Sequence, residues 1–131
     1  MKKTLIVIPA RLKSKRLPNK LIKKIHNKEI IVWVAQRIAT LNLDYIVAID
    51  DIKIGNLLQK YNIPFTLTDP MHLSGTSRVS EIASKLPQYD FYCCVQGDEP
   101  LIDPKEVYNF IKDGENINVG YLNAVCKFCE I

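Results

Sequence analysis

The sequence predicts an α/β fold, a doubly wound and mostly parallel sheet with helices on both faces. Three observations carry that prediction. Short apolar, often β-branched runs recur along the chain, residues at helical spacing fill the stretches between them, and polar segments follow several runs directly. Strands alternating with helices require right-handed crossovers, which leave the strands parallel and lay the helices over the sheet. Ligands of such sheets bind outside the carboxyl ends of the strands, so the polar segments are the places to look.

Taken in order, residues 4–8 form a buried strand that Pro9 is expected to stop. Ile30, Val34, Ile38 and Leu41 recur at helical spacing and predict an amphipathic helix over 30–42. A strand over 45–49 ends at Asp50 and Asp51. Ile54, Leu57, Leu58 and Tyr61 mark the next helix, closed before Pro64 and followed by a short strand over 65–68. Val79, Ile82, Ala83 and Leu86 give a helix that ends at Pro87. The strand over 91–95 runs into Gln96-Gly97-Asp98-Glu99-Pro100. Pro104 occupies the first helical position, where its missing N–H costs nothing, and Glu106, Val107, Phe110 and Ile111 continue that helix. A strand over 119–125 comes last.

A chain of 131 residues, 47% hydrophobic and 24% charged, is expected to form one domain over 1–131. Its apolar runs fall far short of the ~20 residues needed to cross a bilayer. The apolar run at the N-terminus is too short for a signal peptide and is interrupted by Pro9 and Arg11. These features predict a cytoplasmic chain with no membrane partner. The net charge is only +4, but eight of the 18 Lys and Arg residues lie between Arg11 and Lys28. Such clustering fits one local positive site better than a surface that coats nucleic acid, and the aromatic interleaving of a single-strand binder is missing. Cys93 and Cys94 are adjacent and point to opposite faces of a strand. Cys126 and Cys129 have no second pair at zinc-site spacing, so thiols in a reducing compartment are expected. His26 and His72 have no evident acid partner, and Trp33 is expected to pack in the core.

Three segments carry chemistry. The first is "IPARLKSKRLPNK", residues 8–20, directly after the first strand. On charge alone it is a solvated basic loop or a phosphate grip; its place at a strand end favours phosphate. Arg11, Lys13, Lys15, Arg16 and Lys20 would supply forked donors and point charges, and Ser14 a hydroxyl. Neither a Walker loop nor a dinucleotide fingerprint is present. In the second, "SGTSR", Ser74 or Thr76 is placed to cap a helix whose free N–H groups suit an anion or a base edge. Arg78 stands in the first turn of that helix, against the dipole's preference, and so hints at a ligand. The third is "QGDEP". Asp98 offers the carboxylate oxygen that Mg²⁺ prefers, Gln96 a donor and an acceptor, and Gly97 close backbone approach to a ligand. The alternative for this segment is a plain turn closed by Pro100.

In this order and spacing the three segments resemble the CMP-Kdo synthetases, the 3-deoxy-manno-octulosonate cytidylyltransferases. The pattern in that family is I-P-A-R-x-x-S-x-R-L-P-x-K, then S-G-T-x-R, then Q-G-D-E-P, and the resemblance includes Asp50-Asp51. It implies a Rossmann-like nucleotidyltransferase fold of the glycosyltransferase-A kind. It implies transfer of CMP from CTP to the anomeric hydroxyl of Kdo with release of pyrophosphate, a step in lipopolysaccharide sugar activation. By the same resemblance Arg11, Ser14, Arg16 and Lys20 hold the CTP phosphates. Pro9, Ala10, Ser74, Gly75, Arg78, Gln96 and Asp98 help to hold the nucleotide, and Asp98 also binds Mg²⁺. Arg11, Lys20 and Asp98 are the expected catalytic residues. Asn19, Leu21 and Ser77 depart from residues common in the family.

Chains of the family are longer. The present stretch is therefore expected to be a truncated cytidylyltransferase, its nucleotide-binding half. The C-terminal half, with much of the sugar pocket, the homodimer contacts and a second metal-binding aspartate, is expected to be missing. Two alternatives accompany this reading: a cytidylyltransferase for another acidic sugar of the sialic-acid kind, and a catalytically silent nucleotide-binding fragment.

Overall fold

The computed structural model describes residues 3–12, 20–71, 75–97 and 100–116. Strand β1 spans Thr4–Ala10, followed by a short 3-10 turn over Lys20–Ile22 and a hairpin of β2, Lys24–Ile25, and β3, Lys28–Glu29. Then come α1 (Ile30–Ala39), β4 (Asp44–Ile49), α2 (Ile52–Lys60) and β5 (Phe65–Leu67). The described chain ends with α3 (Gly75–Lys85), β6 (Phe91–Cys94) and α4 (Pro104–Asn116). The strand expected over 119–125 lies outside the described residues.

Four strands form one sheet in the order β5-β4-β1-β6, and every pairing in it is parallel. Val7 sets the register, opposite Ile46 on one side and Cys94 on the other. The chain builds outward from β1 through β4 to β5, then crosses back through α3 to place β6 on the far side of β1. The strand order therefore reverses between β1 and β6, and in open α/β sheets this switch point opens a crevice for ligands.

Both faces of the sheet are covered, which is why β1 reads as an unbroken apolar run. Ile6, Ile8 and Ala10 point to the face that carries α1, α2 and α4, where they meet Ile31, Val34, Ile54, Leu58, Val107 and Ile111. Leu5 and Val7 point to the other face, where Val79, Ile82 and Ala83 of α3 cover them together with Tyr92 and Cys94. Each large aliphatic side chain buried this way contributes roughly 1.5–3 kcal/mol relative to exposure. Helix α2 approaches β5 closely through Gly55, where a Cβ would lie 2.8 Å from Cε2 of Phe65.

Several ends have local causes. The Asp51 carboxylate accepts from the N–H of Lys53 at 2.9 Å and caps α2; Asp103 does the same for Lys105 at the start of α4. Asn62, with φ of 57°, supplies the left-handed residue that stops α2. β1 does not stop at Pro9 as expected but continues to Ala10. The ladder toward β6 ends with the bond from Val95 N–H to the Val7 carbonyl, so the donor that Pro9 lacks would have faced the side where β6 is already finished.

The β2–β3 hairpin was not anticipated. His26 and Asn27 link its strands with φ of 51° and 66°, the two left-handed residues that a type I′ turn requires. Trp33 is not a core residue as expected. It is half-buried, its indole N–H donates to the Ile25 carbonyl at 2.8 Å, and the Lys28 ammonium sits 4.2 Å from its ring centre. Cys93 is a free, buried thiol as expected, whereas Cys94 is disulfide-bonded. Among the described residues no helix is long and apolar enough to cross a membrane.

Candidate functional site

At the carboxyl end of β1 the chain passes from buried Ala10 through exposed Arg11 to buried Leu12. The exit is tied down: the N–H of Leu12 donates to Oδ1 of Asp50, at the end of neighbouring β4, at 2.9 Å. The two acidic residues after β4 thus divide their work, Asp51 capping a helix and Asp50 holding the start of the basic segment. At the other end of that segment, half-buried Lys20 opens the 3-10 turn, and Leu21 joins the same core as Leu12. Both ends of the basic segment are therefore anchored on one core. Ser14 and Arg16, with Lys13 and Lys15, lie outside the described residues.

Arg78, the fourth residue of α3, has no solvent exposure at all. Its Nη1 donates to Oγ1 of Thr68 at 2.6 Å, while Nε and Nη2 are buried with no partner among the described residues. Burial pushes the guanidinium below its ordinary pKa. The attraction of Asp50 opposes that shift, nearby Arg11 adds to it, and Glu81 and Asp69 oppose it in turn. A buried cation with two idle donors is costly, since native structures satisfy nearly all such groups. Nε–H and Nη2–H form a fork of parallel donors, the shape that two adjacent acceptor atoms of an anion or a base would fill.

On the opposite side of β1, the chain leaving β6 folds onto the end of β1. A Cβ on Gly97 would stand 2.8 Å from the Pro9 carbonyl oxygen and 3.0 Å from Cδ1 of Ile31. The missing side chain of Gly97 thus admits the β1 backbone, a packing role that the sequence reading did not include. Half-buried Gln96 therefore stands between two fixed points on β1, Val95 bonded to the Val7 carbonyl and Gly97 packed on the Pro9 carbonyl. Gly75 begins α3, while Ser74 and Asp98 lie outside the described residues. Among the described residues no group of three or more His, Cys, Asp or Glu side chains is arranged to hold a metal ion.

The structure thus brings Pro9, Ala10, Arg11, Arg78 and Gln96 to one sheet edge, with Lys20 closing the basic segment. Sequence reasoning missed two supports, Thr68 and the carboxylate of Asp50. Thr68 had a readable sign, a threonine at a strand end just before Asp69-Pro70. A cleft of about 490 Å³ lined in part by Thr40, Leu41, Asp103, Lys105 and Tyr108 shares no residue with this edge.

The carboxyl ends of this parallel sheet gather cationic and amide donors, one of them a buried arginine with an idle fork beside β4 and β5, and it is at these ends that α/β sheets bind their ligands. The chain belongs to the cytidylyltransferase family, whose model matches residues 5–127. It is 45% identical over 104 residues to a 3-deoxy-manno-octulosonate cytidylyltransferase of Psychrobacter sp. (strain PRwf-1), covering 76% of this chain and 38% of that one. A 3-deoxy-manno-octulosonate cytidylyltransferase 2 of Burkholderia ambifaria (strain MC40-6) is 44% identical over 131 residues, 96% of this chain and 49% of that one. Among solved structures, a CMP:2-keto-3-deoxy-manno-octonic acid synthetase complexed with CTP superposes with a TM-score of 0.83 at 34% identity. That match covers 87% of this chain and 48% of the other. The chain therefore spans less than half the length of these relatives.

Proposed function

We propose that this chain is the nucleotide-binding half of a CMP-Kdo synthetase, binding CTP across the carboxyl ends of the sheet strands. The carrying observation is Arg78, fully buried with a free Nε–Nη2 fork, at the same sheet edge as Arg11 and Gln96. Arg11, Ser14, Arg16 and Lys20 hold the phosphates in this reading. Pro9, Ala10, Ser74, Gly75, Arg78 and Gln96 hold the remainder of the nucleotide.

The reaction joins the anomeric hydroxyl oxygen of Kdo to the α-phosphorus of CTP. The bond from that phosphorus to the bridging oxygen breaks, pyrophosphate leaves with the electron pair, and the hydroxyl proton passes to solvent. Arg11 and Lys20 offset the charge that gathers on the phosphate oxygens, the main task in phosphoryl transfer. Asp98, the residue that follows the tightly held Gly97, is the proposed ligand of Mg²⁺. A cation held there would supply further positive charge against the phosphate oxygens. The proposed compartment is the cytoplasm, which supplies the nucleoside triphosphate.

Titration calorimetry with CTP and Mg²⁺ tests the binding half of the proposal. CTP should bind at least tenfold tighter than ATP, a margin of about 1.4 kcal/mol, and Arg11→Ala should weaken it. Equal binding of the two nucleotides, or no effect of Arg11→Ala, overturns the reading. Because the chain spans less than half of its relatives, a second reading has its own support: nucleotide binding without transfer. Pyrophosphate release in the presence of Kdo separates the two, since the silent fragment binds CTP and releases none.

A further inference from the structure

We infer that Thr68 is a positioning residue for the candidate site: its hydroxyl fixes Arg78 by one edge so that the Nε–Nη2 edge stays free for a ligand. The inference rests on the nucleotide-binding reading of Arg78 and adds a residue to it.

The geometry is specific to a hydroxyl. Thr68 is buried, and its Oγ1–H donates to the carbonyl of Ile49 at 2.8 Å. Its backbone N–H donates to the same carbonyl at 2.8 Å. Both donors of Thr68 are thus spent on the last residue of β4, and a β-branched side chain has few χ1 choices left. With its proton committed, Oγ1 can only accept, and what it accepts is the bond from Arg78 Nη1 at 2.6 Å. Arg78, otherwise a long flexible side chain, acquires one orientation.

The neutrality of the partner matters as much. A carboxylate in hydrogen-bond contact would orient Arg78 equally well, but it would cancel the charge and compete with a ligand's acceptor atoms for the fork. Thr68 orients without neutralising. Asp50 acts on Arg78 through its field, while its own hydrogen bond goes to Leu12. The arginine is therefore held and electrostatically supported, yet its Nε and Nη2 remain unsatisfied.

The test compares Thr68→Val, Thr68→Ser, Arg78→Ala and the Thr68→Val/Arg78→Ala double variant by calorimetry with CTP and Mg²⁺. Thr68→Val keeps the shape and loses the hydroxyl, and should weaken CTP binding about tenfold, the low end for a hydrogen bond to a charged group. Thr68→Ser should bind within about twofold of the parent chain, since the hydroxyl is retained. The double variant should bind no more weakly than Arg78→Ala, because Thr68 acts through the arginine. A residue that merely supports the fold would show additive losses instead, which overturns the inference. If Thr68→Val binds as the parent does while Arg78→Ala does not, positioning is refuted and the role of Arg78 stands. If Arg78→Ala binds as the parent does, or the parent chain binds no CTP, the reading of Arg78 falls and this inference with it. Should Thr68→Val fail to fold, side-chain NMR of the parent chain carries the test. A held guanidinium shows slow rotation and separate Nη signals; averaged Nη signals overturn the proposal.

Discussion

Replacing Gly97 by alanine tests how tightly the two strand ends at the switch point are joined. The added Cβ would stand 2.8 Å from the Pro9 carbonyl oxygen, 3.0 Å from Cδ1 of Ile31 and 3.5 Å from Cγ2 of Ile8. The first neighbour is backbone of the central strand, so it cannot rotate away as a side-chain tip could. No described glycine has a positive φ, so alanine brings no backbone strain and the effect isolates the contact. Relief requires the strand ends to separate by a few tenths of an ångström. Overpacking of this kind costs about 1–3 kcal/mol, and with a backbone oxygen as the nearest atom a value of about 2 kcal/mol is expected. For a chain of this size that corresponds to a fall in melting temperature of about 8 °C. Thermal and urea unfolding followed by circular dichroism measure it, and CTP affinity should fall in parallel as Gln96 moves. A melting temperature within about 2 °C of the parent would refute the argument, showing slack between β1 and the chain leaving β6.

Other outcomes follow from separate features. Asp50→Ala removes the acceptor of the Leu12 N–H and the carboxylate that supports Arg78, and should lower stability by about 1–3 kcal/mol in urea titrations. An unchanged midpoint would mean that water replaces the carboxylate without loss. His26→Asn with Asn27→Gly places the preferred pair in the hairpin turn and should raise stability by about 0.5–1 kcal/mol. Burial pushes the Cys93 thiol up to about 12, so the reactive thiolate is suppressed throughout the neutral and mildly alkaline range. Mass spectrometry after iodoacetamide at pH 9 should find Cys93 alkylated only in denaturant; labelling of the native chain would contradict its burial.

The sheet, its alternation with helices and the polar strand ends were legible because β1, β4 and α1 carry strong and unambiguous periodicity. The hairpin was not. Its strands are two residues each, too short for alternation to register, and its turn uses His26 and Asn27 where a glycine would have signalled it. Pro9 misled because a proline's effect depends on which neighbour its missing donor would have faced, a property of the sheet and not of the strand. Arg78 was legible as a candidate but not as a buried one. Charge argued for solvent, while its place four residues before Ile82 put it on the inward face of α3. Thr68 shows the limit most clearly, since its role arises from the Ile49 carbonyl and Arg78, 19 and 10 residues away in the chain.

The crossover that sets β6 beside β1 has a consequence for the chain as it is made. The N–H of Lys3 bonds to the carboxylate of Asp90 across 87 residues, and the N–H groups of Asp90 and Phe91 both bond to the Lys3 carbonyl. On the ribosome, β1 emerges first but waits for most of the described chain before its second neighbour exists. At about 5–20 residues per second, that interval lasts several seconds or more. Through it one side of the most apolar strand presents unpaired backbone groups, the kind of edge on which other chains nucleate. A nascent chain of this design is most vulnerable just before β6 arrives, and the same docking event both closes that edge and completes the crevice.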